Sequence, residues 1–328
     1  MTSLRCAIAA GALVAACAHA ADSYPSRPIR MIVPTGAGGV TDVLGRVVAH
    51  RLGESFGQQV VIDNRPGASG IVGSQIVATA PADGYTLLMV FPTHVVNPFL
   101  FSKMPYDTEK AFAPITIVST VSLLLTVNPD LPVKSTQELI AYAKANPGKL
   151  NYGTVGSGSL GHLGAELFRS MSGTKMTQIA YKGSPQILAA LIGGEINMYM
   201  IASISGVMPQ LKSGRVRALG VSTKQPLPVL PDVPPIANAL PGYEARGWNG
   251  ILAPAGTPKP IIEKLHKEIE KIVRSPEFAQ NLLNEGATAV GNTPEEFAAV
   301  IRADMKKWAA VIRAAGTRAN RRTPVPKQ

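Results

Sequence analysis

Ile29-Arg30-Met31-Ile32-Val33-Pro34-Thr35-Gly36-Ala37-Gly38-Gly39-Val40-Thr41-Asp42 is the stretch on which the fold turns. Residues 29–33 read as a short apolar strand. A helix is expected over 41–55, with Val43, Leu44, Val47, Val48 and Leu52 recurring at helical spacing on one face. Strand, glycine turn and helix form the opening unit of an α/β domain, and ligands of open α/β sheets gather beyond the carboxyl ends of the strands. Glycines let a backbone approach a ligand, and the free N–H groups of a helix start attract an anion. A tight turn capped by Thr41 or Asp42 accounts for the same residues without a ligand.

Outward from this unit the alternation continues. Residues 60–62 read as a strand, 70–79 as a helix and 85–90 as a strand, the pattern of a parallel sheet covered on both faces. A second series begins near residue 121. Strands are expected over 121–127, 150–155, 177–180, 196–201 and 216–222, with helices over 160–171 and 184–192. A helix over 135–146 opens on a capping box, Ser135 with Glu138, and stops at Asn146-Pro147-Gly148. Pro226, Pro228, Pro231, Pro234, Pro235 and Pro241 then stiffen an extended surface connection. One more strand, 248–253, precedes a helix opened by Pro258 and Pro260, with Ile261, Ile262, Leu265, Ile269, Ile272 and Val273 packed inward. The last helix starts at Thr293, with Pro294 in its first position and Glu296 three residues after the cap.

The amino terminus reads as an export signal over residues 1–21. Arg5 precedes an apolar run too short to span a bilayer, and Ala18-His19-Ala20 forms a cleavage site. Val14-Ala15-Ala16-Cys17 also loosely fits a bacterial lipobox, which would lipidate Cys17. Cys6 and Cys17 are the only cysteines. Cleavage after Ala20 therefore removes disulfides, thiol nucleophiles and cysteine metal sites together, leaving stability to two ordinary hydrophobic cores. The formal net charge of +11 loses only the charge of Arg5 with the leader. A positive field favours anion capture. Nucleic acid is not expected as a partner, because the densest basic stretch, Arg313, Arg318, Arg321, Arg322 and Lys327, lacks interleaved aromatics and reads as a solvated terminus.

Two further loops of small residues resemble the first. Gly156-Ser157-Gly158-Ser159-Leu160-Gly161 fits G-x-G-x-x-G literally, yet the strand that follows runs into Ala180-Tyr181-Lys182-Gly183-Ser184 without the acid a dinucleotide ribose requires. No cofactor is expected; an anion-cradling loop rich in hydroxyls survives. Asn64-Arg65-Pro66-Gly67-Ala68-Ser69-Gly70 is the third. Hydrolytic signatures are missing: there is no G-x-S-x-G, and Ser172-Gly173-Thr174-Lys175 lacks the motifs that accompany S-x-x-K in serine acyl enzymes. His50 and His266 read as surface residues of helices. His94 and His162 fall at strand ends, where each serves as a donor to a bound anion or in a local structural bond. No two histidines stand at H-x-x-x-H spacing, so no metal is expected.

Tyr24-Pro25-Ser26-Arg27-Pro28-Ile29-Arg30, the turn Gly38 to Asp42 and Asp63-Asn64-Arg65-Pro66-Gly67-Ala68 resemble the opening of the Bug receptors, the extracytoplasmic solute receptors of tripartite tricarboxylate transporters. The likeness continues through Asp83-Gly84-Tyr85-Thr86-Leu87-Leu88, Phe112-Ala113-Pro114, residues 153–163, Tyr181-Lys182-Gly183, Leu230-Pro231-Asp232-Val233-Pro234 and Ala253-Pro254-Ala255-Gly256-Thr257-Pro258. The resemblance implies an α/β type II periplasmic-binding-protein fold, with two doubly wound domains, crossing hinge strands and a ligand cleft between them. On this reading domain one takes residues 22–120 and 246–328 and domain two takes 121–245, with the hinge in the strands near 121–127 and 248–253.

The resemblance further implies a periplasmic monomer, not an enzyme, that captures a small carboxylate, a di- or tricarboxylate or an aromatic acid, and delivers it to membrane permease subunits. An exported sensor for a signalling partner is the alternative, and a hydrolase or lyase using Ser172, His94 or His162 in the same cleft is a third reading. Carried over by position, the ligand-binding set is Thr35, Gly36, Ala37, Gly38, Gly39, Asp42, Ser69, Thr93, His94, Ser157, Ser159, His162, Gly183 and Ser184. The first turn departs from the family pattern, with Thr35-Gly36-Ala37 where Phe and Pro are common. Pro235 replaces a usual Thr. Residues 200–205 lack the acid that some relatives turn toward a ligand ammonium group.

Overall fold

The computed structural model describes residues 24–283 and 285–316; the expected leader, with Cys6, Cys17 and the site after Ala20, and the basic tail from Arg318 onward lie outside them. β1 (Ile29–Val33) is buried apart from Arg30, whose guanidinium pairs with Asp63 on the neighbouring strand. α1 (Val40–Phe56) ends at Gly57, whose φ of 64° is the left-handed conformation that stops a helix. Leu44, Val48 and Leu52 form its buried stripe. Val43 and Val47, expected on that face, are 51% and 38% exposed. The sheet covers only the narrower stripe spaced by four residues, and the valines turn the neighbouring stripe outward.

β2 (Val60–Asn64), α2 (Ile71–Ala78) and β3 (Thr86–Val90) complete the first series. α3 (Thr93–Leu100), absent from the sequence reading, is a short helix with Pro98 inside it, too brief for a periodic signal. The strand expected over 121–127 is two elements, β4 (Phe112–Ser122) and β5 (Leu124–Val127), joined at Leu123. The second series then runs α4 (Thr136–Ala145), β6 (Asn151–Thr154), α5 (Leu160–Ser172), β7 (Thr177–Ala180), α6 (Ser184–Ile192), β8 (Met198–Ile201), α7 (Met208–Lys212) and β9 (Arg217–Val221). Ser135 caps α4 by accepting the Glu138 N–H at 3.1 Å, while the Glu138 carboxylate accepts from Lys134, one residue ahead of the cap. In the proline-rich stretch Pro226, Pro228, Pro231 and Pro234 are exposed, whereas buried Leu227, Ile236 and Leu240 pin it down.

β10 (Arg246–Pro254), α8 (Lys259–Val273), α9 (Pro276–Leu283), β11 (Ala287–Ala289) and α10 (Pro294–Ala315) close the chain. The capping box at Thr293 is complete: its hydroxyl accepts the Glu296 N–H at 3.2 Å, and the Glu296 carboxylate accepts the Thr293 N–H at 2.9 Å.

The strands form two sheets, ordered β11-β4-β10-β3-β1-β2 and β7-β6-β8-β5-β9. Both are mixed rather than parallel. β10 returns to the first sheet antiparallel to β3 and β4, and β5 enters the second antiparallel to β8 and β9. β4 and β10 pair from Phe112 opposite Pro254 to Ser122 opposite Arg246, so the strands that cross between the sheets lie side by side. α10 packs over this crossing. Its Phe297 and Trp308, both fully buried, share one apolar cluster with Val95 and Leu100 of α3 and with Leu163 and Phe168 of α5. Each such ring contributes about 2–3 kcal/mol by burial. Trp248 of β10 meets Phe297 edge to face at 5.1 Å and donates its indole N–H to Asp304 at 2.8 Å.

Candidate functional site

The turn between β1 and α1 is built to stay open. Gly39 precedes the helix without a side-chain cap, so the first N–H groups of α1 keep no intrahelical partner. A Cβ at Gly36 or Gly38 would meet nothing within 4 Å, and Gly38 holds a φ of 85°. The turn is tied from behind by Asp42, which is 1% exposed. One carboxylate oxygen accepts the Gly38 N–H at 2.8 Å and the Arg46 Nε at 3.0 Å; the other accepts the Asn64 amide at 2.8 Å. The hydrogen bond from Arg46 is the main reason its carboxyl is held down at about 2, with Gly38 and Asn64 adding to it against the opposing effect of burial. Asn64 also donates to the Thr35 carbonyl at 3.1 Å.

This turn opens on a cavity of about 630 Å³ between the two sheets. Gly38, Thr41 and Pro92 border it from the first sheet's side, and Leu160, Ser184, Ala202 and Ser203 from the second. Its floor is the crossing: Ser119, Trp248 and Asn249. There the Thr41 hydroxyl donates to Asn249 at 3.0 Å, and the Asn249 amide donates to Ser119 at 3.3 Å. The two halves touch at its margins. Leu160 lies so close to Gly247 that a Cβ there would fall 2.6 Å from its methyl carbon. Ser203 and Ser205, in the loop after β8, donate to the carboxylate of Glu285 at 3.0 and 2.6 Å.

The second glycine turn satisfies itself. Ser159 caps α5: its hydroxyl accepts the His162 N–H at 3.3 Å and donates to the Gly156 carbonyl at 2.8 Å. His162, 1% exposed, accepts the Gly158 N–H on Nδ1 at 3.2 Å, and burial pushes its pKa down. Ser157 stays exposed at the tip. Gly183 leads into α6 in extended backbone, and the Ser184 hydroxyl beside it accepts from Tyr199 at 3.0 Å.

Ser69, Thr93 and His94 lie elsewhere, around a small hollow with Ser74 and Asn97. Ala68 and Ser69 both adopt positive φ, 44° and 56°, on the way into it. His94 is fully enclosed between Tyr106 and Phe112, neither ring nitrogen has a partner, and burial lowers its pKa to about 4. It is neutral at ordinary pH. His266, expected on the surface, is half buried with its Nε2 3.0 Å from the Asn292 carbonyl.

The cavity thus gathers Gly38 and Ser184 from the expected set and adds Ser119, Trp248, Asn249 and Glu285. Asn249 carried a signal, a polar residue inside an apolar strand. Glu285 carried none. Among the described residues no group of three or more His, Cys, Asp or Glu is placed to hold a metal, and no helix is long and apolar enough to cross a membrane.

The family model described as tripartite tricarboxylate transporter family receptor matches residues 44–317. Protein BugT of Bordetella pertussis is 36% identical over 301 residues, covering 91% of this chain and 92% of that protein. Among solved structures, one of an R. palustris protein with adipate is 37% identical, with a TM-score of 0.78, covering 90% of this chain and all of the other. The periplasmic binding protein BugD is 31% identical, with a TM-score of 0.74 and cover of 90% and 100%. The two α/β units and their crossing strands are the periplasmic-binding-protein fold expected from the motifs.

Proposed function

Because this chain belongs to the tripartite tricarboxylate transporter receptor family, we propose that it captures a small carboxylate between its two α/β domains and delivers it, chemically unchanged, to membrane permease subunits. The observation that carries this reading is the uncapped start of α1, facing the interdomain cavity across glycines with open space above them. A carboxylate placed there takes the free N–H groups and the positive end of the helix dipole.

The remaining positions divide by role. Thr35, Gly36, Ala37, Gly38 and Gly39 cradle the anion, and Ser157, Gly183 and Ser184 approach it from the other domain. Asp42, Ser159 and His162 hold the two turns in shape, each through a hydrogen bond to a backbone group of its turn. Ser69, Thr93 and His94 support the first turn from behind. The division of strands between the sheets supports domain limits of 22–120 with 246–328, and 121–245, and supports closure about β4 and β10. A bound anion that touches both domains favours the closed state by its differential contacts.

Membership of a family with periplasmic receptors supports export; cleavage after Ala20 and a monomer in the periplasm complete this reading, and a mature amino terminus lipidated at Cys17 is the other outcome of intact-mass measurement. The function is tested by thermal unfolding of the mature protein against carboxylates and their neutral amides. Carboxylates are expected to raise the melting temperature with concentration, adding about 2.7 kcal/mol at one hundred times the dissociation constant. An equal response to the amides would sink the anion site.

A further inference from the structure

Three valines on α1 are left uncovered by the fold: Val40, Val43 and Val47 are 57%, 51% and 38% exposed. They follow one another by three and four residues, a single stripe beside the buried one. Uncovered apolar stripes of this kind mark ligand grooves or interaction sites. The stripe faces Phe278 and Leu282 of α9, and all five side chains line the same cavity as Gly38 and Thr41. The apolar groove is therefore continuous with the anion end rather than a separate surface. That continuity identifies its occupant as the rest of the same ligand.

Charge defines the occupant further. Among the described residues, no Lys, Arg or His lines the cavity, and the one ionisable side chain that does is acidic, Glu285. Its carboxylate is fixed in place by the hydroxyls of Ser203 and Ser205. A second carboxylate carried into the groove would lose water against valine, phenylalanine and leucine, find no cation, and approach a like charge. An alkyl or aryl group loses nothing there and covers the valines.

On the reading of this cleft as a carboxylate site, we infer that the ligand is an amphipathic monocarboxylate. Its single anionic head sits at the turn before α1 and its apolar body lies between α1 and α9, with Glu285 the residue that rejects a second anionic end. The volume of about 630 Å³ falls within the usual span for small-molecule sites.

The experiment is calorimetric titration of the mature protein with anions paired by length, hexanoate with adipate and octanoate with suberate. The monocarboxylate is expected to bind at least tenfold more tightly in each pair, and octanoate more tightly than hexanoate. Val43→Asp should weaken octanoate at least tenfold, and Glu285→Gln should raise adipate affinity relative to hexanoate severalfold. Val43 is half exposed and Glu285 partly exposed in the free protein, and circular dichroism of each variant checks that it folds. Adipate binding as tightly as hexanoate, or Glu285→Gln leaving their ratio unchanged, would overturn the assignment while the receptor reading stands. No heat with any of the four acids, together with no thermal response to any carboxylate, would overturn both.

Discussion

The turns at 35–39 and 156–161 look alike as sequence, each glycine-rich and each between a strand and a helix, yet the structure uses them oppositely. In the first, the helix start has no cap, and the shape is imposed from behind by the charged Asp42. In the second, Ser159 and His162 fill the helix start themselves, leaving only Ser157 and the backbone tip to face outward. A turn that spends its own side chains on its donors is a scaffold. One that leaves donors unmet and holds its shape with an ion is prepared for a partner. Glycine content alone does not separate the two; the position of the first polar side chain after the glycines does.

Acid gives the largest expected effect, sparing the tie on the first turn and acting on two buried histidines, His162 in the second turn and His94 in the hollow behind the first. The Asp42 carboxyl, held near 2, keeps the first turn tied throughout the mildly acid range. His162 and His94 have pKa values lowered by burial, His94 from 6.5 to about 4. A depressed histidine contributes stability that is present above 6.5 and is lost as pH falls through its folded value. For His94 the loss reaches about 3 kcal/mol by pH 4. Urea titrations from pH 7 to 4 should show this decline, and His94→Leu should flatten most of it. A decline that persists unchanged in that variant would clear His94 of the acid loss, and one that disappears in Asp42→Asn would place the loss in the tie of the first turn.

Asp42→Ala comes next. It strands the Gly38 N–H and takes one partner each from the Asn64 amide, which keeps the Thr35 carbonyl, and from the half-exposed Arg46, which keeps the Asn64 side-chain oxygen. A stability loss of about 2 kcal/mol is expected, with at least tenfold weaker carboxylate binding. Unchanged affinity would mean that the first turn needs no tie. The smallest effects sharpen the contrast at two glycines of similar backbone. Gly38→Ala and Gly158→Ala both place a side chain at positive φ, 85° and 84°, costing roughly 1 kcal/mol. At Gly158 the new Cβ also falls 2.6 Å from the Leu100 methyl carbon of the other domain, whereas at Gly38 it meets open space. Gly158→Ala should therefore be the less stable by about 1 kcal/mol, and Gly38→Ala the weaker binder.

Much of the architecture was legible in local pattern. β7 and α6 fall where periodicity puts them, and the Thr293 box is read directly from Thr-Pro-Glu-Glu. What escaped was set by tertiary context. The break at Leu123 lies inside a stretch buried from Ser122 to Asn128, because both sheets bury the chain as it passes between them. The outward valines of α1 share spacing with its inward leucines, so periodicity could not say which stripe the sheet would cover. Glu285 belongs to a turn between two short elements, and only the folded chain brings it to Ser203 and Ser205, some eighty positions earlier. The motif resemblance reached the cleft's loops; it did not reach the far wall that α9 supplies.

The pairing of Ser122 with Arg246 has a topological consequence. β4 and β10 are the two arms of one antiparallel hairpin, and everything from residue 123 to residue 245, a whole sheet with its helices, occupies the place of its loop. The second domain thus departs from and returns to adjacent points of the first. Chain connectivity would tolerate its replacement by a short turn without moving either arm. On the proposed closure, rotation of that sheet would pass through this two-stranded ribbon, which twists readily and stretches little.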